Sequence, residues 1–211
     1  MRRLCLGGSF NPVHYGHLRC ARAAAIKLNY QQVVLIPSGQ PPHKRSPAHA
    51  AILAAASDRL AMCRLAAQSE PDGLFAVDDL ELHRSAPSYT IDTADELRTR
   101  GWGDVEHGGR IVWLIGADML NDLPTWHRSS QLPEQVYFVV MARPGFIFQW
   151  DSLPAAFQKL REQVVEVPQI DLSATEIRRR VAAGEPIDGM TLPAVVQYIH
   201  AQRLYSSQKT A

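Results

Sequence analysis

Six short apolar runs recur along this chain of 211 residues, and most are separated by stretches whose apolar residues repeat at helical spacing. Runs of this kind, rich in Val, Ile and Leu, are typical of strands that are buried on both faces. Strands that alternate with helices predict a parallel sheet covered by helices on both sides. The predicted strands cover residues 4–6, 33–36, 74–77, 111–115, 136–141 and 164–167.

The fold class expected from this pattern is α/β, a Rossmann-like parallel sheet with helices on both faces and a small C-terminal helical region. We expect residues 1–211 to form one domain, with a core over 1–170 and the helical region over 171–211. In such a sheet, ligands bind beyond the C-terminal ends of the strands. The predicted helices cover residues 16–28, 57–68, 90–100, 153–162, 173–182 and 193–202.

The composition narrows the class of protein. A formal net charge of +1 gives no overall attraction to nucleic acid or to a membrane. The three cysteines, Cys5, Cys20 and Cys63, have no CxxC spacing and lie among apolar residues, which favours free thiols in a reducing compartment. No apolar stretch approaches the roughly 18 residues of a membrane span. We therefore expect a cytoplasmic protein, either a monomer or a homo-oligomer.

The segment that follows the first predicted strand carries the strongest functional signal, and it reads Gly-Gly-Ser-Phe-Asn-Pro-Val-His-Tyr-Gly-His. Gly7 and Gly8 let a phosphate approach the backbone, and Gly16 does so at the start of a helix, whose amides attract anions. His14 and His17 add donors that can stabilise charge on phosphoryl oxygens. The segment predicts a nucleoside triphosphate site. Zinc binding is the competing use of the two histidines, but no cysteine or carboxylate stands nearby at ligand spacing.

Two further polar segments follow predicted strands. Pro-Ser-Gly-Gln-Pro-Pro-His-Lys stiffens an extended backbone after the second strand. His43 and Lys44 there either form an ordinary solvated loop or approach phosphates. Pro-Ser-Tyr-Thr-Ile-Asp-Thr opens the third predicted helix. Ser88 or Thr90 is either an N-cap of that helix, or the neighbouring backbone amides bind a small carboxylate.

Polar and aromatic residues also lie near the fourth predicted strand and the fifth predicted helix. Asp118 comes just after the strand, where a carboxylate can accept hydrogen bonds from ribose hydroxyls. Trp126, within Leu-Pro-Thr-Trp-His-Arg, either stacks on a heteroaromatic ring or packs into the core. Ser173, within Ser-Ala-Thr-Glu-Ile-Arg, fits a helix N-cap. That role leaves Thr175 and Arg178 unexplained, and a hydroxyl followed by an arginine one turn later suits a triphosphate.

The first of these segments resembles the signature of the nucleotidylyltransferase superfamily, Gly-Gly-(Ser/Thr)-Phe-Asp-Pro-x-His-x-Gly-His, with Asn11 where Asp is usual. The whole set, in this order and over nearly the full chain, is similar to the bacterial nicotinate-nucleotide adenylyltransferases. Pro-Ser-Tyr-Thr and Pro-Thr-Trp are the segments that point to a pyridine nucleotide. The resemblance implies direct transfer of the adenylyl group of ATP to nicotinate mononucleotide, with magnesium and without a covalent enzyme intermediate, in NAD biosynthesis.

The resemblance also implies roles for the residues at the matching positions. The implied catalytic residues are His14, His17 and Arg178. The implied ATP contacts are Gly7, Gly8, Ser9, Phe10, His14, Gly16, His17, Gly116, Asp118, Arg143, Ser173, Thr175 and Arg178. The implied contacts of the acceptor nucleotide are His43, Lys44, Tyr89, Thr90, Trp126 and His127. No protein ligand to the magnesium ion is implied, because the ion is held largely by phosphates and water.

Two other functions are compatible with the same residues. The acceptor of the adenylyl group could instead be nicotinamide mononucleotide or phosphopantetheine, although phosphopantetheine would not require Trp126. The chain could also be a nucleotide sensor that binds ATP without turnover. Class I aminoacyl-tRNA synthetases use a similar His-x-Gly-His element, but this chain lacks a Lys-Met-Ser-Lys-Ser motif and room for an anticodon-binding domain.

Overall fold

A parallel sheet of six strands forms the centre of the computed structural model, which describes residues 1–42 and 51–206. His43 and Lys44 lie outside these described residues. All six predicted strands are present, and the predicted α/β class is confirmed. The strands are β1 (Arg3–Gly8), β2 (Gln32–Pro37), β3 (Phe75–Val77), β4 (Ile111–Gly116), β5 (Val136–Ala142) and β6 (Val164–Glu166).

The strand order β3-β2-β1-β4-β5-β6 reverses direction between β1 and β4. In open α/β sheets, this switch point is where a crevice forms beyond the C-terminal ends of the strands. Cys5 of β1 pairs with Trp113 of β4, and the residues that follow this pair flank the crevice. The topology therefore brings the loops after β1 and β4 to one place.

Seven α-helices of the described residues surround the sheet. They are α1 (Tyr15–Lys27), α2 (Ala56–Ser69), α3 (Thr90–Thr99), α4 (Leu132–Gln135), α5 (Ala155–Gln158), α6 (Ala174–Ala183) and α7 (Pro193–Ala201). The single helix predicted over 153–162 is wrong, because one turn of α5 is followed by a 3₁₀-helix over Lys159–Gln163. Phe157 and Leu160 are both buried at a spacing of three residues, which a 3₁₀-helix also places on one side.

The core consists of two apolar clusters, one on each face of the sheet. Leu4 and Leu6 of β1 belong to the cluster that contains α1, α2, α6 and α7. Cys5 belongs to the opposite cluster, which contains α3. The three cysteines are free thiols, as predicted. Within residues 1–42 and 51–206, no helix is long and apolar enough to cross a bilayer.

Candidate active site

A cavity of about 680 Å³ opens at the switch point of the sheet. This volume lies within the usual range for small-molecule sites, about 300–1,000 Å³. Eight residues predicted as site residues line it, and they come from four separate segments of the chain. They are Gly7, Gly8, Ser9, Tyr89, Thr90, Gly116, Trp126 and His127.

The histidines of the first segment form the cap of α1. The Nδ1 atom of His14 accepts a hydrogen bond from the Gly16 amide at 3.1 Å, and Nδ1 of His17 accepts one from the His14 amide at 3.3 Å. The two rings stack, with their centroids 3.8 Å apart. Because both Nδ1 atoms accept, the proton of each neutral ring lies on Nε2. The local fold therefore leaves Nε2 of His14 and Nε2 of His17 as hydrogen-bond donors.

His14 is neutral at physiological pH. Its side chain is buried, and this burial lowers the pKa of His14 from 6.5 to about 4. Burial disfavours the charged imidazolium because the interior solvates charge poorly. His14 can therefore offer a hydrogen bond without offering a positive charge, so any net charge that the site presents to an anion comes from other residues.

Two glycines of this segment make room for other side chains. A Cβ at Gly7 would lie 2.4 Å from the indole of Trp113, and one at Gly16 would lie 2.9 Å from the ring of His14. The need for glycine at both positions thus has a structural reason in addition to the phosphate approach expected from the sequence. The ring of Phe10 packs against Gly8 and meets the His17 ring edge-on at 5.2 Å.

Arg178 of α6 reaches the loop after β1 from the far end of the sequence. Its Nη1 donates to the Asn11 carbonyl oxygen at 2.8 Å, and its Nη2 donates to Thr175 Oγ1 at 3.2 Å. Ser173 is the N-cap of α6, as predicted, and accepts from the Glu176 amide at 3.1 Å. Partial burial lowers the pKa of Arg178, but a guanidinium keeps its charge in proteins.

The N-termini of α1 and α6 lie next to each other. The Leu172 carbonyl oxygen, just before the N-cap of α6, is 3.6 Å from the position that a Cβ at Gly16 would occupy. Backbone amides point outward at both helix starts, and each start carries a partial positive charge. The structure therefore brings His14, His17 and Arg178 together around one loop.

Other parts of the C-terminal region also contact this loop. Thr191 donates to the Val13 carbonyl oxygen at 2.8 Å, and the Tyr15 amide donates to the Met190 carbonyl oxygen at 3.1 Å. The Tyr205 hydroxyl donates to the side chain of Asn11 at 2.8 Å. The loop that follows β1 is thus held from α6, from the turn before α7 and from the chain after α7.

Asn11 stands where the superfamily signature has Asp, and both the nitrogen and the oxygen of its side-chain amide form hydrogen bonds. Its Nδ2 donates to the Ile52 carbonyl oxygen at 2.9 Å, and its Oδ1 accepts from the Ala54 amide at 3.0 Å as well as from Tyr205. The side chain is buried. An ionised aspartate has no donor for the contact with Ile52. Asn11 supports the loop from within the protein.

The other side of the cavity is built around the start of α3. The N-cap of this helix is Tyr89, which makes no side-chain cap hydrogen bond, so neither Ser88 nor Thr90 is the N-cap. Ser88 instead accepts from the Gln40 amide at 3.2 Å. The rings of Tyr89 and His127 stack with centroids 4.2 Å apart. The first residues of this helix line the cavity, and no side chain caps its free amides.

Trp126 combines both uses that the sequence left open. Its ring meets Phe138 edge-on at 6.1 Å and packs against the apolar cluster of α3, yet the residue also lines the cavity. One part of the indole is therefore held by the core while another faces the cavity.

Two predicted ATP contacts lie at the margin of this arrangement. A Cβ at Gly116 would come within 2.3 Å of Asp118 Oδ1, so this carboxylate lies directly over Gly116. Asp118 itself is exposed, and so is Arg143, which follows β5 directly. Neither residue lines the cavity, and the same holds for seven other predicted ATP contacts: Phe10, His14, Gly16, His17, Ser173, Thr175 and Arg178. The structure places both near the C-terminal edge of the sheet, outside the group formed by the histidines and Arg178.

Two buried charged residues near the site were missed from the sequence. Arg59 of α2 is only 1% exposed, and Glu81, which lines the cavity, is 4% exposed. Arg59 shares a buried helix face with Met62 and Cys63, and a charged residue on an apolar face was the signal that could have found it. Glu81 lies in a short 3₁₀-helix and carries no comparable signal.

The fold and the site together define a nucleotidyltransferase of the cytidylyltransferase-like class, and the chain matches the model of the Cytidylyltransferase-like family over residues 5–180. It is 39% identical over 215 residues to a probable nicotinate-nucleotide adenylyltransferase of Sodalis glossinidius (strain morsitans), with 94% of each chain covered. A relative with the same description in Herpetosiphon aurantiacus is 39% identical over 204 residues, which cover 95% of this chain and 96% of that protein. The chain belongs to the family of nicotinate-nucleotide adenylyltransferases.

Solved structures show the same fold. The structure of Plasmodium falciparum nicotinic acid mononucleotide adenylyltransferase complexed with NaAD aligns with a TM-score of 0.70 at 18% identity, covering 97% of this chain and 98% of that one. The complex of the same protein with APC aligns with a TM-score of 0.69 at 17% identity. Identity at this level supports the likeness of the fold alone.

Proposed function

We propose that this chain transfers the adenylyl group of ATP to nicotinate mononucleotide, giving nicotinate adenine dinucleotide and pyrophosphate, as a step of NAD biosynthesis. The observation that carries the proposal is the meeting of two helix N-termini, those of α1 and α6, at the loop after β1, whose residues Gly7, Gly8 and Ser9 line the cavity at the switch point. Membership of the family supports the choice of substrates. The remaining argument concerns what each residue does.

The triphosphate of ATP lies between the two helix starts. Nε2 of His14 and Nε2 of His17 donate to its oxygens from one side, and Arg178 donates from the other. Thr175 and the amides after Ser173 complete the contacts, while Gly7, Gly8, Ser9 and Gly16 keep the backbone close to the phosphates. These donors are fixed by their own hydrogen bonds before ATP arrives, so they need little rearrangement when charge grows in the transition state.

The reaction is a direct in-line displacement. A phosphate oxygen of the acceptor nucleotide forms a bond to the α-phosphorus of ATP, and the bond from that phosphorus to the oxygen bridging it to the β-phosphorus breaks. Pyrophosphate leaves with the bonding electron pair. No side chain becomes covalently bound, so the protein contributes position and charge stabilisation.

The nicotinate ring lies in the part of the cavity between α3 and Trp126. The pyridinium ring of the nucleotide carries a positive charge, which the face of the indole attracts. The ring carboxylate accepts hydrogen bonds from the backbone amides near Thr90 and His127, and Tyr89 packs beside them. Backbone amides can donate but cannot accept, so this subsite favours the carboxylate of nicotinate over the amide of nicotinamide.

The adenosine half lies toward β4 and β5. Gly116 and Asp118 face the ribose, Phe10 supports the loop beneath the nucleotide, and Arg143 approaches the adenylate. His43 and Lys44 are proposed to contact nucleotide phosphates, although they lie outside the described residues. This arrangement places the two substrates on opposite sides of the switch point, with their reacting phosphates between β1 and β4.

Magnesium fits this site as a companion of ATP. The oxygens of the polyphosphate, together with water, would supply most of its ligands, and we propose no protein ligand. When bound, the ion neutralises part of the phosphate charge. We also propose that residues 1–211 act as one domain in the cytoplasm, where the free thiols stay reduced.

Pyrophosphate release in the presence of ATP and magnesium tests the function. We expect turnover with nicotinate mononucleotide, slower turnover with nicotinamide mononucleotide and none with phosphopantetheine. Preference for phosphopantetheine would refute the proposed acceptor. Binding of ATP by calorimetry without turnover of any of the three acceptors would instead indicate a nucleotide sensor.

A further inference from the structure

Arg59 is a buried cation, and each of its three side-chain nitrogen atoms donates to a backbone carbonyl oxygen. Its Nη1 donates to the Ser9 oxygen at 2.8 Å, its Nε to the Ala54 oxygen at 3.0 Å and its Nη2 to the Gly39 oxygen at 3.3 Å. Burying a charge is costly unless hydrogen bonds compensate for lost water. An apolar side chain at position 59 would pack in the core without this cost. The buried charge therefore indicates a role beyond packing.

Two of the three carbonyls, those of Ser9 and Gly39, belong to loops that line the cavity, whereas that of Ala54 lies just before α2. Ser9 lies in the loop after β1, which carries the two histidines, and Gly39 lies in the loop after β2. The same loops are joined by Ser38, whose amide and hydroxyl both donate to the Gly8 carbonyl oxygen, at 2.9 and 3.1 Å. Arg59 therefore fixes the distance between the loops after two neighbouring strands.

Glu81 extends this connection to the acceptor side. Its backbone oxygen lies 2.4 Å from the position that a Cβ at Gly39 would occupy. Its carboxylate accepts from Thr93 Oγ1 of α3 at 2.6 Å and from Ser88. Burial raises the pKa of Glu81, and the positive charges of Arg84 and Arg59 oppose that rise. The carboxylate thus joins the start of α3 to the loop that Arg59 holds.

We infer that Arg59 and Glu81 are positioning residues, which together hold the nucleotide loop after β1 in register with the acceptor subsite at the start of α3. This inference rests on the proposed function, in which the two substrates bind on opposite sides of the switch point. In-line attack is sensitive to misplacement of the reacting atoms, and an error of about 1 Å can cost on the order of 100-fold in rate. Arg59, which does not line the cavity, acts on the rate through alignment, and Glu81 does so through its contacts with Thr93 and Ser88.

The test compares Arg59→Lys with a matched control, Arg64→Lys. Both arginines lie on α2, but Arg64 is exposed and pairs with Asp79 at 3.0 Å on the surface. Lysine keeps the charge at position 59 but cannot reach three separate carbonyls with one ammonium. We expect Arg59→Lys to lower kcat about 10- to 100-fold, with each KM changed less than about threefold. Arg64→Lys should match the wild type.

Glu81→Gln provides a second variant of nearly the same shape. Glutamine has one acceptor oxygen where the carboxylate has two, and its bonds are no longer strengthened by a negative charge, so the hold on Thr93 and Ser88 weakens and we expect kcat to fall about 3- to 10-fold. If Arg59→Lys does not fold, the kcat of Glu81→Gln tests the inference instead. Unchanged kcat in folded Glu81→Gln, or in folded Arg59→Lys, would overturn the inference. The inference would also be overturned if the loss of kcat were no larger than the loss of folded protein measured by circular dichroism.

Hydrogen exchange supplies a readout that does not depend on turnover. In Arg59→Lys we expect the amides around Ser9 and Gly39 to exchange at least about tenfold faster, while the interior of α2 stays protected. Equal exchange at both loops would contradict the inference. An inactive wild type with normal loop protection would instead refute the proposed function, so the two failures are distinguishable.

Discussion

The buried ring of His14 makes the stability of the protein depend on pH within one window. Burial lowers its pKa to about 4 in the folded state, whereas an unfolded chain keeps a value of about 6.5. Above pH about 6.5, neither state binds the proton, and the contribution to stability is complete. As the pH falls toward 4, only the unfolded state takes up the proton. The free energy of unfolding then drops by about 1.4 kcal/mol per pH unit, or about 3 kcal/mol in all.

Urea unfolding of the wild type and of His14→Asn measures this effect. Asparagine is a good N-cap residue, so the variant keeps an acceptor at the start of α1 but has no ring to titrate. Between about pH 7.5 and pH 4.5, we expect the wild type to lose about 2–3 kcal/mol more than the variant. All other titrating groups are common to both proteins. Equal losses would refute the conclusion that the ring is buried in its neutral form.

Three further predictions concern single side chains. His17→Ala should lower kcat about 100- to 1,000-fold, the usual effect of losing a preorganised donor; steady-state kinetics on the folded variant would check this, and near-normal turnover would remove its catalytic role. Trp126→Ala should raise KM for nicotinate mononucleotide about tenfold and leave KM for ATP unchanged; an unchanged acceptor KM would argue against stacking. Asn11→Asp should lower the free energy of unfolding at neutral pH by about 1–3 kcal/mol, because the Ile52 carbonyl loses its donor; an unaltered urea midpoint would contradict this.

The sheet was predictable because its signal is local. Each central strand is a short run of apolar residues, and all six runs became parallel strands. Helix α4 was not predicted, since four residues that begin with Leu132 and Pro133 are too few to show periodicity. The helix expected over 153–162 failed for a related reason: buried residues spaced by three suit an α-helix and a 3₁₀-helix alike.

The site was predictable as a set of segments, but its geometry was not. The sequence indicated that Ser173 caps a helix, and the structure agrees. It held no sign that Arg178 would donate to the carbonyl of Asn11, since that contact joins positions 167 residues apart. The sequence left open whether Ser88 or Thr90 caps α3, and neither does, because Tyr89 is the N-cap and the Ser88 hydroxyl accepts from the Gln40 amide in the loop after β2. Such long-range hydrogen bonds depend on the order of the strands in the sheet. Local sequence patterns do not specify that order.

The loop after β1 is supported by hydrogen bonds from Arg178, Thr191 and Tyr205. This support has a consequence for folding during synthesis. Because translation proceeds from the N-terminus, these residues leave the ribosome after the segment they support, which lies 167 to 194 positions earlier. A nascent chain can pair the strands of the sheet early, but the loop after β1 lacks these contacts until residues 178–205 have emerged. Loss of Tyr205, whose hydroxyl donates to Asn11, should therefore weaken a loop that lies 194 positions earlier in the chain.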